Sequence, residues 1–283
     1  MAVDSLIGIL AAGTLFAMML AIGLTVRWGE LRGTARNARL LGRVALANYV
    51  AVPAVTLALI AWRDVDPGVA AGFLMMAVCP GAPFAPAVAA MARGDAAAAA
   101  GLMALLAASS AVAAPVLMGV LLPMVMAGDA ARVDAGVVAG TLFATQLAPL
   151  FAALAVHEWL PNVATVVRPL AAVAGKLLGA ATAVLVLYQY GALLTRIRAS
   201  GFVAMGVLLG VSLAAGWWAG RPGVALGRAT ALTTSLRNVG AALAIAGSSF
   251  AGTAAATSVI AYFFVEVLGS VAVAWRWRAA GSA

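Results

Sequence analysis

Long apolar runs alternate with short polar breaks along the whole chain, and nine runs can be placed: 6–26, 44–61, 69–92, 96–126, 136–156, 169–193, 201–219, 224–250 and 253–275. A helix crosses the hydrocarbon core of a bilayer in ~17–25 residues, and every run reaches that length. The runs are continuous rather than alternating, which excludes a β-barrel. Inside lipid a spanning segment must satisfy its own backbone, and a helix does so. The pattern predicts an all-α polytopic membrane protein of about nine transmembrane helices, built as a single unit over residues 1–283. The fourth run is long enough to tilt, or to kink at Pro115.

Two of the runs are interrupted. The third contains Cys79-Pro80-Gly81-Ala82-Pro83-Phe84-Ala85-Pro86, whose three prolines and one glycine cannot continue a regular helix. The eighth carries Thr233, Thr234, Ser235, Arg237 and Asn238 in its middle. A charge at bilayer depth costs at least ~2.5–3.5 kcal/mol on insertion scales, so Arg237 must face protein or water. Each broken run is preceded by two spans and followed by one, and the breaks lie five spans apart, so equivalent elements have opposite orientation. That is an inverted repeat, and it predicts two crossed broken helices with a site near the bilayer midplane.

Charge gives the orientation. The stretch 27–43, read as a loop, carries Arg27, Arg32, Arg36, Arg39 and Arg43 against Glu30, which makes it cytoplasmic. The N-terminus is then outside and the C-terminus, with Arg276 and Arg278, inside. Arg93, Arg168, Arg221, Arg228 and Lys176 agree by falling on the inner side, and Asp64, Asp66, Asp129 and Asp134 by falling outside; Arg196 and Arg198 dissent. Trp62, Trp217, Trp218, Trp275 and Trp277 mark segment ends, where interfacial indoles belong.

Composition narrows the function. The chain is 65% hydrophobic and 9% charged, and its net charge of +8 is read as topology charge rather than a nucleic-acid surface. The first run is a span rather than a cleaved signal, being long and preceded by Asp4 instead of basic residues. One cysteine and one histidine exclude an intramolecular disulfide and speak against a His/Cys metal site. No metal-binding triad, intramembrane Asp pair or Ser–His arrangement suggests an enzyme, and no cofactor is expected. With short loops only, no domain is placed to relay a signal, which disfavours a non-transporting membrane sensor. Sixteen arginines against one lysine, with abundant alanine, point to a G+C-rich bacterial source and hence the inner (cytoplasmic) membrane.

A broken helix frees backbone groups that bind ions and anionic groups, so the breaks are the candidate site. Arg237 offers a fork of donors to a substrate carboxylate or sulfonate, or pairs with Glu266, the acidic residue deep in the next span. Asn238 offers an amide to ligand or to freed backbone. Thr233, Thr234 and Ser235 either coordinate a cation or bond back to their own helix. Pro80, Gly81, Pro83 and Pro86 shape the first break, and Ser109, Ser110 and Gln146 lie mid-span where they can face it. Cys79 is read as a small core residue, and His157-Glu158 as a solvated helix end.

At these residues the chain resembles the bile acid:sodium symporter family, within the larger group that holds arsenite and auxin carriers. The similarity covers essentially the whole chain. It is carried by Cys79-Pro80-Gly81 followed by Met91-Ala92-Arg93-Gly94-Asp95, similar to the family's CPGG and LARGN, and by Leu236-Arg237-Asn238-Val239-Gly240, in the place of a family stretch reading roughly E-x-G-x-Q-N-x-G. The resemblance implies a core domain with two crossed broken helices and a panel domain. With the repeat, that assigns 44–126 and 201–275 to the core and 1–26 and 136–193 to the panel. It also implies a secondary active carrier of a small organic anion, bile acid- or sterol-like or a carboxylate, working by alternating access with Na+ as coupling ion. Its partners would be that anion and the lipid bilayer, with no nucleic acid and no obligate protein partner. An arsenite-type or other metabolite exporter of the same fold is the alternative, and it would lean on Cys79. The chain departs from the family at the sodium ligands: Ala85 and Pro86 stand for Ser and Asn, Ser235 or a neighbour for Glu, and Arg237 for Gln. These departures suggest a fixed guanidinium in place of a bound cation, and transport that is either uncoupled or coupled to H+ with Glu266 as the proton carrier.

Overall fold

The computed structural model describes residues 2–62, 65–126, 134–194, 197, 199–250 and 253–280. The helices, in order, are α1 (Ala2–Gly23), α2 (Trp28–Arg36), α3 (Ala38–Trp62), α4 (Pro67–Val78), α5 (Ala85–Met91) and α6 (Ala96–Leu121). There follow α7 (Ala135–Trp159), α8 (Pro161–Leu194), α9 (Ala199–Ala219), α10 (Val224–Ser235), α11 (Val239–Ser249) and α12 (Ala255–Ala280). Among the described residues seven helices are long and apolar enough to cross a membrane: α1, α3, α6, α7, α8, α9 and α12. The other apolar pieces are the halves of two broken elements, α4–α5 and α10–α11. The protein is an all-α polytopic membrane protein.

Several boundaries differ from the sequence expectation for local reasons. The stretch 27–43 is helical over 28–36 and again from 38: Glu30 accepts the Arg27 N–H at 3.3 Å at the start of α2, and Asn37 accepts the Leu40 N–H at 3.1 Å at the start of α3. Pro169 sits inside α8, which begins eight residues earlier at Pro161, where a fixed φ and a missing N–H cost nothing. Arg168 is therefore on a helix, not in a loop. Pro115 is accommodated within α6. Pro86 opens α5 rather than breaking it. His157 does more than meet solvent: its Nδ1 lies 2.8 Å from the Leu24 carbonyl, tying α7 to the end of α1. The topology assignments of Asp64, Asp129, Arg196 and Arg198 fall outside the described residues.

The broken elements form the centre. Ala70–Val78 of α4 and Gly240–Ala246 of α11 are buried, and the two helices lie against each other; α5 lies against α10 in the same way. The first half of each broken element thus meets the second half of the other, as oppositely oriented repeats require. Around them α4 packs on α12, α10 on α9 and α6, and α1 on α7, α8 and α11. α8 carries an exposed stripe, Val163, Val166, Leu170, Val173 and Leu177, at helical spacing. Apolar side chains facing out along a long helix are what a lipid solvent calls for.

Candidate functional site

The two breaks close on each other. α4 stops at Val78, and Gly81 takes φ +94°, a left-handed conformation that costs glycine little. A Cβ there would also come within 2.7 Å of the Ala107 amide nitrogen on α6. On the other element, Leu236 is extended and Arg237 pairs with Pro80 in an antiparallel β-bridge. The Asn238 N–H donates to the Cys79 carbonyl at 2.8 Å. Backbone groups released by one break are thereby used by the other, the requirement for irregular chain at membrane depth.

Arg237 is completely buried. Its guanidinium donates to the Asn48 side-chain oxygen at 2.6 Å and to the Ala77 carbonyl at 3.0 Å, and its Nε has no hydrogen-bond partner among the described residues. Glu266, also fully buried, accepts the backbone N–H of Arg237 at 3.1 Å through Oε1, and its Oε2 has no partner among the described residues. The arginine is thus held by α3 and the end of α4, with the carboxylate meeting its main chain. Asn48 completes its own bonds by donating to Val44 and to the Thr234 hydroxyl at 3.2 Å.

Asn238 caps α11 by accepting the Ala241 N–H at 3.1 Å and donates to Gln146 at 2.7 Å. Gln146 in turn donates to Ser110 at 3.0 Å and to the Ala107 carbonyl. Asn48 and Gln146 share an origin: each sits in a single π-helical turn, Ala47–Ala51 in α3 and Phe143–Leu147 in α7. Such turns shift the register of a helix locally and recur at functional sites. Here they deliver one amide side chain each to the consecutive residues Arg237 and Asn238.

The remaining predicted residues divide clearly. Thr233 bonds back to the Ala229 carbonyl at 2.7 Å, and Ser235 reaches Leu232 at 3.3 Å and Ser270 at 3.0 Å. Ser109 meets the Tyr49 hydroxyl at 2.6 Å, at an exposed position. Pro80 and Gly81 are buried at the bridge, whereas Pro83 and Asn238 face a cavity. Cys79 is fully buried.

That cavity, of about 320 Å³, lies between α1 and α8 on one side and the breaks, α11 and α12 on the other. Its walls are apolar, with Leu15, Met18, Phe84, Phe263 and Phe264, and Lys176 is the cation on its lining. A second chamber of about 390 Å³ continues it, sharing Met18, Pro83, Phe84 and Lys176, and adds Thr25, Ala87 and Arg168. Among the described residues, Lys176 lines both chambers, Arg168 the second, and no acidic side chain lines either. Towards the other end, Val186, Leu187, Tyr190 and Ile260 leave no room for a water molecule. The cleft therefore opens towards the end of the bundle that carries the Arg27–Arg43 stretch. Lys176 has a signal in the sequence, a lone lysine inside an apolar run, which counting it as an inner-side topology charge leaves unused; Asn48 has no signal of its own.

Two broken helices whose breaks pair beside a cleft are the arrangement found in carriers built on an inverted repeat. The chain belongs to the Sodium Bile acid symporter family, whose model matches residues 12–217. It is 24% identical over 270 residues to the probable sodium/metabolite cotransporter BASS2, chloroplastic, of Oryza sativa subsp. japonica; the match takes in 93% of this chain and 62% of that protein. The chain thus spans less than two thirds of the length of this relative.

Proposed function

We propose that the protein is a secondary active carrier that moves a small organic anion, bile acid- or sterol-like or a carboxylate, across a bacterial inner membrane by alternating access. The observation that carries this is the cleft: apolar walls end at Lys176 and Arg168, and its inner wall is the helix crossing, lined by Pro83, Asn238 and Val239. An amphipathic monoanion fits such a lining, its body against Phe84, Phe263 and Phe264 and its charge at Lys176. Residues 44–126 and 201–275 act as the core and 1–26 and 136–193 as the panel, and the cleft runs along the line between them. Counting both broken elements as crossings gives nine spans, with the N-terminus outside and the C-terminus cytoplasmic. The family membership and the sodium/metabolite transport named for the rice relative support the reading. The arsenite alternative draws no support from Cys79, which is buried and absent from the cleft lining.

The test is countertransport in proteoliposomes loaded with unlabelled cholate, taurocholate or short-chain carboxylates and challenged with the labelled compound. Exchange above protein-free vesicles is expected for at least one. A charge-assisted hydrogen bond is worth about 1.5–3 kcal/mol, so Lys176→Gln should weaken half-saturation by roughly tenfold or more, with Lys176→Arg close to wild type. Binding without exchange would make the protein a receptor rather than a carrier. Unchanged half-saturation in Lys176→Gln would move the anion site elsewhere.

A further inference from the structure

The residues at the crossing do not leave a place for the alkali cation that the family's name implies, because a side chain already fills it. We propose that Arg237 is a tethered cation, occupying the position that a coupling ion would take, so that the crossing folds without Na+.

Consider what surrounds the guanidinium. α4 is interrupted in mid-membrane, and the last carbonyls of any helix lack intrahelical partners and carry its partial negative charge. Half-helix ends of this kind, with unwound carbonyls, are where broken-helix transporters bind Na+. In this protein the Ala77 carbonyl at that end accepts from Arg237 at 3.0 Å. The Asn48 amide oxygen, brought in by the π turn of α3, accepts at 2.6 Å. Glu266 holds the adjoining main chain at 3.1 Å and adds a carboxylate to the same neighbourhood. Carbonyl, amide and carboxylate oxygens drawn from three helices form a donor set of the type that hard cations take. Arg237 supplies the positive charge to that set covalently. A guanidinium is a permanent cation, so the compensation cannot dissociate.

A second observation separates Arg237 from the substrate. It is wholly buried and is absent from the lining of both cleft chambers, where Lys176 and Arg168 stand. The protein therefore divides two positive roles between different residues: Arg237 holds the crossing together, and the cleft cations meet the anion. The inference does not depend on which anion is carried, or on whether one is.

The experiment needs no substrate. Thermal unfolding of the detergent-purified full chain is followed at constant ionic strength while NaCl replaces choline chloride, with LiCl and KCl as further arms. The wild type is expected to unfold at the same temperature in all four salts. Arg237→Lys keeps a tethered cation and should share that indifference. Arg237→Gln empties the position while retaining a polar side chain. It should unfold at a lower temperature in choline and recover part of the loss in a saturable manner as Na+ is added. A saturable rise with Na+ in the wild type would overturn the proposal, since the ion would then have a place beside the arginine. A folded Arg237→Gln that ignores every alkali ion would also overturn it, because the vacated position would not be a cation site. Should Arg237→Gln not fold, the wild type and Arg237→Lys decide: both indifferent supports the proposal, and either one stabilised by Na+ defeats it.

Discussion

Asn48 shows how much a single neutral side chain can control. It is one of two acceptors the Arg237 guanidinium has, and it is completely buried. Asn48→Leu keeps the branched shape and the number of side-chain heavy atoms and removes the acceptor, leaving part of a buried charge unsatisfied. A hydrogen bond to a charged group contributes about 1.5–3 kcal/mol, so the variant should unfold at a clearly lower temperature than wild type, whereas Asn48→Asp should not. Differential scanning in detergent reads this directly; equal melting of Asn48→Leu and wild type would show that Ala77 alone suffices. The sequence makes Arg237 conspicuous, since a cation deep in an apolar run must be explained. It does not reveal Asn48, because a lone asparagine in a span has no signature of its own. Only the π turn in α3 aims it at the arginine. Of the partners the sequence offers, Glu266 meets the Arg237 main chain, while the guanidinium goes to Asn48 and Ala77.

At the level of elements, proline and glycine make the first break legible and the polar cluster makes the second so. Their direct pairing through Pro80 and Arg237 joins residues far apart in sequence, and no local pattern encodes it. Prolines were a less dependable guide to where helices begin. Pro169 and Pro115 lie inside helices and Pro86 starts one, because a membrane helix can lose a backbone bond where neighbours shield it. The break itself makes a sharp prediction at Gly81. Alanine there would adopt φ +94° and push its Cβ to 2.7 Å from the Ala107 amide nitrogen. Strain of about 1–3 kcal/mol from the conformation alone, with the overlap added, should lower the unfolding temperature and disturb the bridge. Gly119→Ala, with open space around the position, serves as the control and should be neutral or slightly stabilising. If the two alanine variants melt alike, the left-handed turn is not what holds the first break in shape.

For the whole molecule, the all-α polytopic class and the two interruptions were readable from hydrophobicity and from the placing of proline, glycine and polar residues. The cleft was not readable, because its lining is drawn from α1, α8, α11, α12 and the first break, each contributing residues that look like ordinary membrane core. Its shape has a consequence for access. Thr25 and Ala87 line the open chamber and are exposed, whereas Thr257 lies beside the closed end and is 2% exposed. The native Cys79 is buried, so cysteines can be added singly without first removing it. With 27–43 cytoplasmic, a membrane-impermeant maleimide should label Thr25→Cys and Ala87→Cys in inside-out vesicles and neither in intact spheroplasts. Thr257→Cys should resist the reagent from both sides in the resting protein. Addition of a transported anion to cycling protein should then expose Thr257→Cys from outside and slow the labelling of Ala87→Cys from within. Labelling of Ala87→Cys from outside would reverse the orientation inferred from the arginines. Labelling of Thr257→Cys from outside at rest, with Ala87→Cys protected, would mean that the resting carrier opens the other way.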